Sequence, residues 1–129
     1  MNTIYLSTNG DTIIPLGLPI IVEEDYECGV IQLHGRVLAN TTEALYLCCD
    51  ICEESRVEDK MLPVLCRVRR NQGGVISTDI NHVSWLPIVR KPIQHIRLYI
   101  CTEDGEIVSL RNRRLYCTLQ IRPLRVNNE

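Results

Sequence analysis

The stretch Leu115-Tyr116-Cys117-Thr118-Leu119-Gln120-Ile121-Arg122 decides the fold class. Leu115, Cys117, Leu119 and Ile121 occupy every second position, with Tyr116, Thr118, Gln120 and Arg122 between them. Residues two apart share one face of a strand but not of a helix, so this stretch predicts a strand with one buried face. The same period runs outward from it. Residues 96–101 set Ile96, Leu98 and Ile100 against Arg97, Tyr99 and Cys101. Residues 31–37 place Ile31, Leu33 and Val37 inward and Gln32, His34 and Arg36 outward, with Gly35 marking a bulge or a close backbone approach. Residues 45–51 align Leu45, Leu47, Cys49 and Ile51, and residues 64–70 set Val64, Cys66 and Val68 against Arg67 and Arg69. Further strands are expected near 3–7, 12–14, 19–23, 75–77 and 83–90.

Turn signals separate these runs: Asn9-Gly10-Asp11, Asn71-Gln72-Gly73-Gly74 and, strongest as a hairpin, Glu103-Asp104-Gly105-Glu106. Each proline sits at an edge or connection, where a missing N–H is tolerated. Residues 53–61 read as two helical turns or as a charged loop. About eight short strands predict an all-β, single-domain antiparallel β-sandwich over residues 1–129. The long connection at 52–62 favours jelly-roll or Greek-key topology over a meander.

The chain has 129 residues, of which 45% are hydrophobic and 23% charged, as expected for one globular domain. No apolar run reaches the roughly 18 residues of a membrane span, so no membrane partner is expected. Residues 1–5 carry no basic segment leading into an apolar stretch, which argues against a signal peptide and for an intracellular protein. A net charge of −2 argues against a dedicated nucleic-acid binder. That small value hides a split. Residues 1–64 hold 11 acids and 3 bases, a net of −8; residues 65–129 hold 5 acids and 11 bases, a net of +6.

No motif points to catalysis or a cofactor. Seven cysteines, an odd number without a visible leader, read as reduced thiols acting as small apolar groups. Cys49 and Cys52 have C-x2-C spacing, but no second metal-binding pair accompanies them. On a continuous strand they would also face opposite sides, and Cys48 and Cys52 would lie roughly 13 Å apart. His34, His82 and His95 are dispersed. The acidic runs Glu23-Glu24-Asp25 and Glu53, Glu54, Glu58 and Asp59 lack a calcium-loop pattern. Arg67-Val68-Arg69-Arg70 and Arg111-Asn112-Arg113-Arg114 suit weak polyanion contact or salt bridges between subunits, and aromatic interleaving for base stacking is poor. Asn40-Thr41-Thr42 fits a glycosylation sequon but reads as a turn.

The order of motifs carries a resemblance. Leu45-Tyr46-Leu47-Cys48-Cys49-Asp50-Ile51 is followed by Leu62-Pro63-Val64-Leu65-Cys66-Arg67-Val68, by Trp85-Leu86-Pro87-Ile88-Val89, and by residues 93–110 with their Asp104-Gly105 turn. Thr118-Leu119-Gln120-Ile121-Arg122 closes the series. This order is similar to the C-terminal region of jelly-roll capsid proteins of Maverick/Polinton-type elements and their adenovirus-like viral relatives. Leu110 and Gln120-Ile121 depart from the aromatic residues that family favours there. The resemblance implies a non-enzymatic single jelly roll in a minor or penton-like role, located in the virion. It further implies partnership with copies of itself and with other capsid proteins. The alternatives are a β-sandwich interaction adaptor and, further off, a zinc- or thiol-dependent domain. Interface candidates are the aromatic residues expected on outer faces, Tyr46, Trp85, Tyr99 and Tyr116. The charges Arg67, Arg69, Arg111, Arg113, Arg114, Glu53, Glu54, Glu58 and Asp59 join them.

Overall fold

The computed structural model describes residues 2–21, 25–37, 44–69, 74–79, 83–89 and 92–124. The strands are β1 (Asn2–Thr8), β2 (Asp11–Ile20), β3 (Tyr26–Arg36), β4 (Leu45–Cys49), β5 (Ser55–Val57), β6 (Lys60–Leu62), β7 (Val64–Val68), β8 (Val75–Asp79), β9 (Leu86–Pro87), β10 (Ile93–Thr102) and β11 (Leu115–Pro123). One sheet runs β1-β11-β3-β8, with β9 also pairing β3; the other runs β2-β10-β4-β7. All pairings are antiparallel. The chain is an all-β antiparallel sandwich, as its period of two predicts. Consecutive long strands fall in opposite sheets, except that β4 and β7 are neighbours in one, and the small hairpin β5–β6 lies in their connection.

One core fills the space between the sheets. Ile96, Leu98 and Ile100 of β10 share it with Leu115, Cys117, Leu119 and Ile121 of β11 and Leu45, Leu47 and Cys49 of β4. Thr8 joins the layers by hydrogen bonds: its hydroxyl donates to the Leu98 carbonyl at 3.1 Å and accepts from the Gly10 amide at 3.0 Å.

Bulges shift the alternation at three places. Gln32 opposes Thr118 while Val30 opposes Leu119, so Ile31 is the extra residue. Cys28 and Val30 therefore point inward before it, and Leu33 and Val37 after it. Ile31, expected in the core, is only half-buried because the bulge moves it out of phase. In β7, Leu47 opposes Cys66 but Cys48 opposes Val64, so Leu65 is extra and enters the core in place of Val64. Between β2 and β10, Pro15 opposes His95 and Ile20 opposes Ile93, so residues 16–19 bow away from Gln94. The expected strands 12–14 and 19–23 are thus parts of one bulged strand through Ile20.

Residues 53–61 form neither a helix nor an open loop. They fold into β5–β6, with Glu58 at a positive φ of 53° in the turn. The strand expected at 83–90 is reduced to β9 and a bridge at Ile88. The predicted reversal at 103–106 forms, with the Gly105 amide donating to the Thr102 carbonyl at 2.9 Å. Gly10 and Gly35 are required by close approach as well as by positive φ. A Cβ would lie 2.5 Å from the Val108 carbonyl oxygen at Gly10 and 2.7 Å from that of Arg114 at Gly35. Of the turn expected at 71–74 only Gly74 is described, and the sequon at 40–42 and Glu23, Glu24, Arg70 and His82 lie outside the described residues.

Leu119→Ala is expected to lower unfolding stability by about 3 kcal/mol by leaving a cavity in the shared core. Thr118→Ala, one position along and half-buried, should cost under about 0.5 kcal/mol. Urea unfolding of both variants checks this phase assignment.

Candidate assembly surfaces

β11 alternates core and outer residues, so its polar side chains set the outer face of the first sheet. Tyr116 stands directly opposite His34 on β3, and their rings stack at 5.1 Å with 13° between planes. Tyr5 on β1 is exposed on the same strand set. Arg114 is held by its own chain: its Nε donates to the Ser7 hydroxyl at 2.9 Å and its Nη2 to the Ser7 carbonyl at 3.2 Å.

The other end of this face is covered. Gly29 leaves room for residues 83–85, since a Cβ there would meet the Val83 side chain at 2.4 Å and the Trp85 ring at 3.2 Å. Trp85 lies over Arg122, whose Cζ is 3.4 Å from the ring centroid. Arg122 also donates from Nε to Glu27 at 2.6 Å, and both side chains are largely buried. Trp85 is therefore half-buried, stacked on the arginine of a charged pair. It is no free outer-face aromatic, because its own segment, residues 83–85, lies down over Gly29.

On the second sheet the hairpin β5–β6 and its flanks cover what the alternation would expose. Cys48, Tyr99 and Cys101 form an outer cluster, with Tyr46, Leu62 and Val64 packed against it. Tyr99 is 8% exposed and Tyr46 is half-buried, so the expected outward Tyr99 is corrected to a covered residue. Arg97 stacks over Tyr99 at 4.5 Å and pairs with Asp11 at 2.9 Å. The Arg97 hydrogen bond holds the Asp11 carboxyl below its usual range, with slight desolvation opposing it. This pair is solvent-exposed and contributes little to stability. Beside it lies an open depression of about 620 Å³, with Met61, Pro63 and Val89 on its wall and Glu53 and Glu54 at its rim.

Three of the exposed apolar residues that the alternation does not single out lie on β2 or just after it. Ile13 is 65% exposed, Leu18 87% and Ile21 74%. β2 is an edge strand of its sheet. Pro15 and Pro19 remove two donors from it and the 16–19 bulge distorts it, which are ways natural edges resist strand addition. The sequence carried the signal: residues 12–22 contain no charge.

The charge split divides in space. Both described ion pairs, Asp11–Arg97 and Glu27–Arg122, join an acid of the first half to an arginine of the second. Glu53, Glu54, Glu58, Asp59, Arg67, Arg69, Arg111 and Arg113 stay exposed, and none forms an ion pair among the described residues.

β4 ends at Cys49, and the chain turns so that the Cys52 amide meets the Cys49 carbonyl at 3.4 Å. The continuous strand expected through Ile51 is thus corrected. The Cys52 thiol donates to the carbonyls of Cys49 and Pro63. Among the described residues no group of three or more His, Cys, Asp or Glu side chains is placed to hold a metal ion. Burial pushes the thiols of Cys28, Cys52 and Cys66 up to about 12 from 9.0 and raises those of Cys48, Cys49 and Cys117 as well. Comparison with family models, curated proteins and solved structures finds no match to this chain.

Two outcomes are expected. Arg122→Ala strands the Glu27 carboxylate and should cost about 2 kcal/mol, with a shift in the emission of Trp85, the single tryptophan. Arg122→Lys should recover only part of that loss, having no planar group to stack. The raised thiols also give a pH dependence. Below 9.0 the thiols are neutral whether folded or unfolded; above it only the unfolded chain ionises them. Stability should therefore fall from pH 9 toward about 12, as denaturant midpoints across that range would show.

Proposed function

We propose that this chain is a non-enzymatic structural subunit of a viral or virus-derived capsid, a minor or vertex jelly-roll protein acting through subunit assembly. The reading is carried by the wiring. Taken as the eight successive strands of a jelly roll, β1, β2, β3, β4, β7, β8, β10 and β11 fall in the orders first-eighth-third-sixth and second-seventh-fourth-fifth across the two sheets. The ordered motifs of residues 45–122 add the likeness to Maverick/Polinton-type and adenovirus-like capsid proteins. Its partners are then copies of itself and other capsid proteins, and its place is the virion.

Two surface features support assembly. The edge strand β2 and the residue after it expose Ile13, Leu18 and Ile21, large apolar side chains of the kind that protein contacts cover. The acids at 53–59 and the arginines at 67–69 and 111–113, which form no ion pair among the described residues, suit complementary contacts between neighbours. A head-to-tail contact joining two different patches closes into a ring when its rotation permits.

Sedimentation velocity over a concentration series is the test. The wild type should grow in mass with concentration, and Leu18→Asp should shift the series toward monomer while leaving the fold intact at so exposed a position. Raising salt from about 0.1 M to about 1 M shortens the screening length from about 10 Å to about 3 Å and should weaken the charged contacts. A wild type that stays monomeric at every concentration would sink the reading and leave the adaptor role as its successor.

A further inference from the structure

We propose that Cys48 and Cys101 are an oxidisable pair, a modification site at which the second sheet gains a reversible covalent bond between β4 and β10. Cys48 stands opposite Tyr99 and Cys101 opposite Tyr46, so the two are diagonal neighbours on adjacent strands. Both point to the outer face of the sheet, and their sulfurs meet at 3.6 Å. Both are fully buried, with Leu62 and Val64 packed against them. This arrangement differs from that of Cys52, whose thiol is directed to two backbone carbonyls.

Geometry sets the character of the bond. A disulfide needs its sulfurs about 2.05 Å apart. Diagonal neighbours on a sheet start farther apart than directly opposed ones. Between strands already hydrogen-bonded to one another, the sulfurs must close from 3.6 Å across the diagonal, and a bond that departs from relaxed geometry is the more readily reduced kind. The bond belongs to the reversible class, unlike the permanent staples of small secreted domains.

The oxidant is a small peroxide, which reaches the two buried sulfurs through a smaller opening of their cover than a bulky disulfide needs. One sulfur, as thiolate, attacks a peroxide oxygen; the oxygen–oxygen bond breaks, and the departing hydroxide takes a proton and leaves as water. The sulfur is now a sulfenic acid. The neighbouring sulfur attacks it, the sulfur–sulfur bond forms, and the remaining oxygen leaves as a second water with the second thiol's proton. The two sulfurs lose two electrons in all, and the peroxide gains them. Burial raises both thiols and keeps the attacking thiolate scarce, so the step follows transient opening of the hairpin β5–β6.

The test treats the native protein with hydrogen peroxide, then denatures it, alkylates the remaining thiols and maps peptides by mass spectrometry. Of the seven thiols, five should remain alkylatable (7 − 2), with a Cys48–Cys101 peptide pair in the map. Dithiothreitol should restore all seven. Cys48→Ala and Cys101→Ala should each retain six alkylatable thiols after the same treatment, and the wild-type map stands even if a variant folds poorly. Seven alkylated thiols after peroxide, a bond between other cysteines, or oxygen adducts without a disulfide would each overturn the proposal.

Discussion

The burial of one aliphatic layer between β10 and β11 is the constraint on which everything else rests. Ile96, Leu98 and Ile100 must face inward from one sheet while Leu115, Leu119 and Ile121 do so from the other. A slip of one residue in either strand would turn that set to solvent. Both are interior strands of their sheets, β11 between β1 and β3 and β10 between β2 and β4, so their phase dictates that of four neighbours. The bulges at Ile31, at Leu65 and over 16–19 are where neighbouring strands are brought back into phase. Thr8 then pins the two layers at one end, through a hydroxyl that is wholly buried and fully used.

How much of this was legible follows from what is local. The alternation in 115–122, 96–100 and 45–49 named the core because each strand runs unbroken through those residues. It misplaced Ile31 and Val64 because a bulge inserts one residue without a mark of its own in the alternation. Gly35 advertised a close approach, and the backbone of residues 114–115 supplies it, although the bulge itself falls at Ile31. Residues 53–61 were ambiguous because their charges suit any solvated conformation, including the hairpin they adopt.

The candidate surfaces were legible in their charges and illegible in their cover. Glu53, Glu54, Glu58, Asp59, Arg67, Arg69, Arg111 and Arg113 are exposed, as a charged face predicts. Tyr99 sits on an outer face too, but Leu62 and Val64 pack over its cluster, and Trp85 itself folds down over Gly29 and Arg122; no periodicity encodes such cover. Arg114 likewise turns to Ser7 of its own chain. The β2 edge was missed for a different reason: Pro15, Gly17 and Pro19 interrupt the alternation there, although the absence of charge across 12–22 marks the patch.

A chain built this way keeps its thiols inside and its unpaired charge outside. Its thiols are buried and hard to ionise, its two described ion pairs join the acidic and basic halves of one chain, and its leftover charge and apolar edge face outward. The most direct measurement of the assembly account is negative-stain imaging of the concentrated full chain. Closed rings or shells of uniform size are the predicted result; a field of dispersed single subunits, with no closed particle at any concentration, would contradict it.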